Sequence, residues 1–262
     1  MGGEGSGNAT TAAGFLQQVG VFAVHPAYNR RMPALDMIQK FAIWVLPVLF
    51  AITVHEVAHG WMARRHGDST AFMLGRLTLN PIKHVDPIGT VLVPALALFV
   101  GGFIIGWARP VPINTRNLRQ PRRDMALVAL AGPGANLLMA LGWAMLVRLG
   151  LMLGAGFEWA ALPLIYTGVA GIVINTMLMV LNLLPLPPLD GGRVLSSVLP
   201  PRASMLLDRI EPYGIFILIA LLATNLLGII LWPPLSLVLT GLAQLSGLQA
   251  GEFQALLTAL MS

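Results

Sequence analysis

The chain has 262 residues, 56% of them hydrophobic and 10% charged, and a mean hydropathy of +0.77. Soluble domains carry roughly 25% charged residues, so this composition excludes an ordinary globular protein and indicates an all-α polytopic membrane protein with no large soluble domain. The net charge of +5 comes from sixteen Lys and Arg set against eleven acids; the basic residues fall in short loops at span ends, where they orient a membrane chain and suggest no nucleic acid, and with no Cys any metal must use His and carboxylate.

Residues 1–40 read as a flexible or interfacial N-terminal segment. Met1–Thr11 is rich in Gly, Ser and Asn. Residues 12–24, too short and too mixed for a signal peptide, read as an interfacial helix. A transmembrane core follows over 41–232, its first span at 41–63 containing His55-Glu56-Val57-Ala58-His59. On a helix, positions i and i+4 share a face, so both imidazoles can reach one metal ion. Glu56, one residue on, stands where a carboxylate can take a proton from water that a metal has acidified. A Glu and two His at membrane depth cost several kcal/mol unless paired or metallated, which argues against an accidental motif.

The next apolar stretch, 88–107, contains Pro94 and Gly101-Gly102 and has basic loops on both sides, Arg64, Arg65, Arg76 and Lys83 before it and Arg109, Arg116, Arg119, Arg122 and Arg123 after it. A single crossing would put one cluster on the wrong side of the membrane. A re-entrant hairpin, with β pairing as one option, is predicted instead, entering and leaving from the cytoplasmic side. Spans at 125–147, 161–184 and 213–232 complete a bundle of about four to six membrane segments. Arg30, Arg31 and Lys40, which this topology places outside, run against it. The tail 233–262, after Pro233-Pro234, reads as an interfacial or membrane helix.

The third metal ligand is expected at Asp190. Pro185, Pro187 and Pro188 break the returning helix before it, and Gly191 and Gly192 free the backbone after it. Irregular backbone at membrane depth is tolerated only where it lines a cavity, which disfavours a simple pairing of Asp190 with Arg193 at the interface. Asn182 carries two readings, an interhelical hydrogen bond and a donor to the scissile carbonyl or its oxyanion. Asn136 carries two readings, packing of the small-residue face Gly132-Pro133-Gly134 against a neighbour and, second to it, a role at the site; His84 and Asp86 are expected to form a structural cap, with a metal role as the alternative.

These residues resemble the site-2 protease family of intramembrane zinc metalloproteases. The resemblance rests on His55-Glu56-x-x-His59, on Asn182-x-x-Pro185 leading to Leu189-Asp190-Gly191, on Gly132-Pro133-Gly134-Ala135-Asn136, and on Gly75 to Pro81 leading to His84 and Asp86-Pro87, covering roughly residues 41–200. It implies one zinc ion held by His55, His59 and Asp190, Glu56 as catalytic base, and a single-span membrane-protein substrate cut within or beside its transmembrane helix. The PDZ and CBS modules of many members are missing. A bacterial cytoplasmic membrane, with the site toward the cytoplasm, is the expected location, and a homo-oligomer stays open. A metal-ion transporter or channel and a non-catalytic metal-bound scaffold are the alternatives; paired repeats, absent here, would favour the first, and the intact Glu56 argues against the second.

Overall fold

The computed structural model describes residues 35–84, 86, 109–153 and 157–261. The N-terminal segment, with its expected interfacial helix, and the re-entrant hairpin at 88–107 lie outside the described residues, among which all regular structure is helical. Four helices are long and apolar enough to cross a membrane, α1 (Met37–Arg65), α3 (Pro121–Leu153), α4 (Glu158–Asn182) and α8 (Leu226–Ser246). The short α2 (Thr70–Met73) follows α1; α5 (Asp190–Val198), α6 (Pro201–Ile210) and α7 (Gly214–Ala223) lie between α4 and α8, and α9 (Ala250–Met261) follows.

Helix α1 starts on a reciprocal cap. The Asp36 carboxylate accepts from the Gln39 N–H at 2.7 Å, and the Gln39 side-chain oxygen accepts from the Asp36 N–H at 3.0 Å. It ends on Arg64 and Arg65, whose charges suit the negative end of the helix dipole. At 1.5 Å per residue the 29 residues of α1 extend about 44 Å, well beyond a hydrocarbon core of about 30 Å. Pro47 and Pro133 lie inside α1 and α3; membrane helices tolerate them because neighbouring groups satisfy the freed carbonyls.

The core joins α3, α4, α8 and α9 through Ala140, Ala144, Val147, Val169, Ile172, Leu242 and Leu256. Small residues set how closely the helices approach: a Cβ on Gly171 would stand 2.3 Å from the Trp143 ring, so only glycine admits the indole there.

The predicted spans at 41–63, 125–147 and 161–184 correspond to α1, α3 and α4, with ends that differ by a few residues. The span at 213–232 is corrected. Its apolar run breaks at Thr224-Asn225, where the Thr224 hydroxyl bonds back to the Ala220 carbonyl and Asn225 takes a left-handed conformation at φ 58°. The membrane-length helix here is α8, which runs through Pro233-Pro234, so the boundary drawn at 232 falls inside it. Helix α9 buries Phe253, Leu256 and Leu260 in the main core rather than lying on the surface.

Two buried carboxylates fasten residues 109–120, the described segment before α3. Asp124 accepts from the Gln120 N–H at 2.7 Å and pairs with His66 Nδ1 at 3.0 Å. Asp68, just past α1, accepts from the Thr70 hydroxyl and N–H, from Asn114 N–H at 2.7 Å and from Asn117 Nδ2 at 3.0 Å. Burial alone would push the Asp68 carboxyl up; the bonds from Thr70, Asn117 and Asn114 outweigh it and hold the carboxyl below its ordinary value. Because the folded value is depressed, this stabilisation is present above the unfolded pKa of about 3.9 and is lost as pH falls through the folded value. Asp68→Asn should lower hydrogen-exchange protection over residues 109–117 by about tenfold at pH 7, and should remove its loss below about pH 4. Protection indistinguishable from wild type at both pH values would show that other contacts hold the segment.

Candidate metal centre

Helices α1 and α3 meet as antiparallel partners. His59 Nδ1 donates to the Val128 carbonyl at 2.7 Å, and His55 Nδ1 donates to Asn136 Oδ1 at 2.6 Å. Residues 55 and 59 on α1 therefore face 136 and 128 on α3, and residue 132 lies between. Gly132 is required by this approach, since a Cβ there would stand 2.3 Å from His59 Nε2 and 2.6 Å from His55 Cε1. His59 lies six residues before the end of α1 and Val128 seven after the start of α3, so the pair sits about 10 Å in from both helix ends.

Asp190 reaches the same point from the broken segment after α4. The chain turns over Leu183–Leu189 and restarts as α5 with Asp190 in its first turn, where the helix dipole favours a carboxylate. Glycines make this fold-back possible: a Cβ on Gly191 would meet the Leu184 carbonyl at 2.3 Å, and one on Gly192 the Pro187 nitrogen at 2.5 Å.

The result is a triangle of electron-rich atoms. His55 Nε2 and His59 Nε2 are 3.0 Å apart, and Asp190 Oδ2 lies 3.3 Å from the first and 3.2 Å from the second. All three residues are buried, at 8%, 6% and 7% exposure. Because both Nδ1 atoms point at acceptors, the neutral imidazoles carry their protons there and turn bare Nε2 lone pairs toward each other. Asp190 Oδ2 is buried without a hydrogen-bond partner. Three such atoms repel unless a cation lies among them. Ligand atoms about 2 Å from a tetrahedral zinc stand about 3.3 Å apart, close to the spacings observed, so the donor set fits one zinc ion. Among the described residues, these three form the one group of His and carboxylate side chains able to hold a metal.

The other expected site residues are placed differently. Glu56 is half-buried, and its Oε2 accepts from the Val111 N–H at 2.7 Å. Asn182 Nδ2 donates to the Leu178 carbonyl of its own helix at 2.9 Å rather than across to a neighbour. His84 is buried and bonds through Nε2 to the Thr78 carbonyl at 2.9 Å, fastening the loop before it. Asp86 is half-buried and, like His84, outside the metal group. Asp190 faces the two imidazoles, and among the described residues it forms no ion pair with Arg193.

Of the two readings of Asn136, the contact of its carboxamide with a candidate ligand favours the one at the site. Its Nδ2 donates to the Ala51 carbonyl at 3.2 Å and to Asn175 Oδ1 at 3.0 Å. Asn175 was missed altogether. The cost of an amide at mid-span, already argued for Glu56, was the signal for both.

The chain matches the model of peptidase family M50 over residues 43–161 and 157–224. Among curated proteins it is 42% identical over 198 residues to "Putative zinc metalloprotease YwhC" of Bacillus subtilis, covering 73% of this chain and 85% of that one. It is 31% identical over 221 residues to "Putative zinc metalloprotease Rip2" of Mycolicibacterium smegmatis, covering 84% and 78%, and 31% identical over 198 residues to the Mycobacterium tuberculosis protein of the same name, covering 73% of each. No solved structure matches at a significant level. With four membrane-length helices and a His-His-Asp group fit for zinc, the chain belongs to peptidase family M50, the site-2 proteases, and is a multi-pass membrane zinc metalloprotease.

Proposed function

We propose that this protease hydrolyses a peptide bond within or beside the transmembrane helix of a single-span membrane protein, with His55, His59 and Asp190 as zinc ligands and Glu56 as general base. The observation that carries the reading is the convergence of three buried ligand atoms at a point about 10 Å in from the ends of the membrane-length α1 and α3, a depth suited to a substrate embedded in the bilayer.

When bound, zinc polarises the scissile carbonyl and brings the pKa of its water down to about 7. Glu56 would take a proton from the attacking water and later give it to the leaving amine. Its Oε2 accepts from the Val111 N–H, which orients the carboxylate and leaves lone pairs on it to accept a proton. Asn182 uses one Nδ2 hydrogen on Leu178; the second is the donor to the scissile carbonyl. The substrate helix unwinds locally, because helical hydrogen bonding and side chains shield its peptide bonds. An apolar cavity of about 200 Å³, lined by Leu46, Leu49, Phe50, Thr53 and Leu79, flanks the turns of α1 that lead to His55 and supports entry of an unwound apolar segment there.

The site faces the cytoplasm of a bacterial cell membrane in this reading. Arg64 and Arg65 end α1, and Arg122 and Arg123 begin α3, at the end nearer the metal group. A transporter reading loses ground to the peptidase family match.

Glu56→Gln should keep zinc and lower cleavage by about 10²–10⁴-fold, measured by metal analysis and turnover of a single-span substrate. Loss of zinc together with activity would make Glu56 a ligand or a structural group. His55→Ala, His59→Ala and Asp190→Ala should each lose zinc; full occupancy in any of them removes that residue from the ligand set. Met73→Cys and Arg116→Cys are clean labelling sites, since the chain has no native Cys. Both should react with an impermeant reagent from the cytoplasmic face only, and labelling from outside would invert the orientation.

A further inference from the structure

A hydrogen-bond chain of one direction runs into the metal group from α4. It begins at the Gly171 carbonyl, which accepts from Asn175 Nδ2 at 2.9 Å. A backbone carbonyl only accepts, so this contact forces the Asn175 amide nitrogen toward Gly171 and its Oδ1 toward Asn136. Asn175 Oδ1 then accepts from Asn136 Nδ2 at 3.0 Å, and the Ala51 carbonyl accepts from the same nitrogen at 3.2 Å. Both contacts turn Asn136 Oδ1 toward His55, where it accepts from Nδ1 at 2.6 Å. Asn136 and Asn175 are fully buried, so water cannot offer either amide an alternative orientation.

We propose that Asn136 and Asn175 are positioning residues that lock His55 in the Nδ1–H tautomer, so that its Nε2 lone pair is always directed at the metal. The inference rests on the zinc-ligand reading of His55. The partner histidine needs no such device, because the Val128 carbonyl fixes His59 directly. A carboxamide, unlike a carbonyl, can present either end. Asn136 on its own would hold His55 in either tautomer, and in one of them Nε2 carries the proton and cannot ligate. Asn175 removes that ambiguity, and Ala51 on α1, one turn before His55, reinforces it. The hydrogen bond also fixes the plane of the ring.

Three variants test this with zinc affinity and with the ¹⁵N shifts of the metal-free His55 ring, which report the tautomer whatever the activity. Asn136→Leu should weaken zinc binding by about 10–100-fold and convert His55 from a single Nδ1–H form to a mixture. Asn136→Asp, which still accepts from Nδ1–H, should recover most of the affinity. Asn175→Ala leaves the longer Ala51 contact, at 3.2 Å, as the one hold on the Asn136 amide, so it should give a partly mixed tautomer and a smaller loss of affinity although it touches no ligand. If Asn136→Leu does not fold, the other two variants decide alone. Wild-type zinc affinity in Asn136→Leu, a single Nδ1–H tautomer in Asn175→Ala, or an Asn136→Asp variant with wild-type fold and zinc affinity below one tenth of wild type would each overturn the inference. His55→Ala separates the two claims: zinc retained there removes the ligand reading itself, whereas zinc lost there but kept in Asn136→Leu removes only the positioning role.

Discussion

The interaction on which the rest depends is the close seating of α1 against α3. Two imidazoles one turn apart are pressed onto a stripe two turns long, with Val128 and Asn136 at its ends and Gly132 between. In lipid this contact gains little from hydrophobic burial, since acyl chains are as apolar as the side chains they replace. It depends instead on small residues that admit close approach and on hydrogen bonds that have no competing water. The imidazoles satisfy both conditions, because their inner nitrogens close the helix pair and their outer nitrogens are left for the metal.

That arrangement explains why Asp190, the third proposed ligand, arrives on a broken segment. Helix α4 packs closely on α3 through Gly168 and Gly171, and the carboxylate that faces the imidazoles comes from beyond its end. The chain stops at Asn182, folds over Leu183–Leu189 and restarts as α5, which places Asp190 at a helix N-terminus beneath the His pair. The exposed backbone this creates is sheltered by contacts so tight that Gly191, Gly192 and Gly214 admit no Cβ. The proline and glycine residues are thus the condition for a carboxylate to enter the bundle at that depth.

Much of this was legible in the residues. The apolar runs of α1, α3 and α4 are uninterrupted, so length alone finds them. HExxH and the Pro-Gly frame of Asp190 carry their chemistry in their spacing. The fourth span was misplaced because Pro233-Pro234 look like a stop in water, whereas in this helix they are accommodated and a Thr-Asn pair eight residues earlier makes the break. Asn136 was undervalued because it was read with its sequence neighbours; counted in fours, positions 128, 132 and 136 form the complement of 55 and 59. The hold of Val111 on Glu56 had no sequence signal, because the donor is a backbone N–H brought in by a distant loop.

The last element of the motif lies one residue beyond it. Glu56 and Gly60 share a face of α1 that is rotated about 100° from the face of His55 and His59. Both meet Val111: the Glu56 carboxylate accepts its N–H at 2.7 Å, and a Cβ on Gly60 would stand 2.8 Å from its side chain. Pro110 and Pro112 flank Val111 and have no N–H of their own, so the donor meeting Glu56 is the one the backbone offers at this point. The loop that carries it is pinned by Asp68 through Asn114. Helix α1 therefore divides its labour by face. The 55/59 stripe docks on α3 and collects the ligands, and the 56/60 stripe docks on the 109–114 segment and orients the carboxylate. Glu56 is thus held by a different partner from the three residues able to hold a metal, which suits the proposed role of base rather than of fourth ligand.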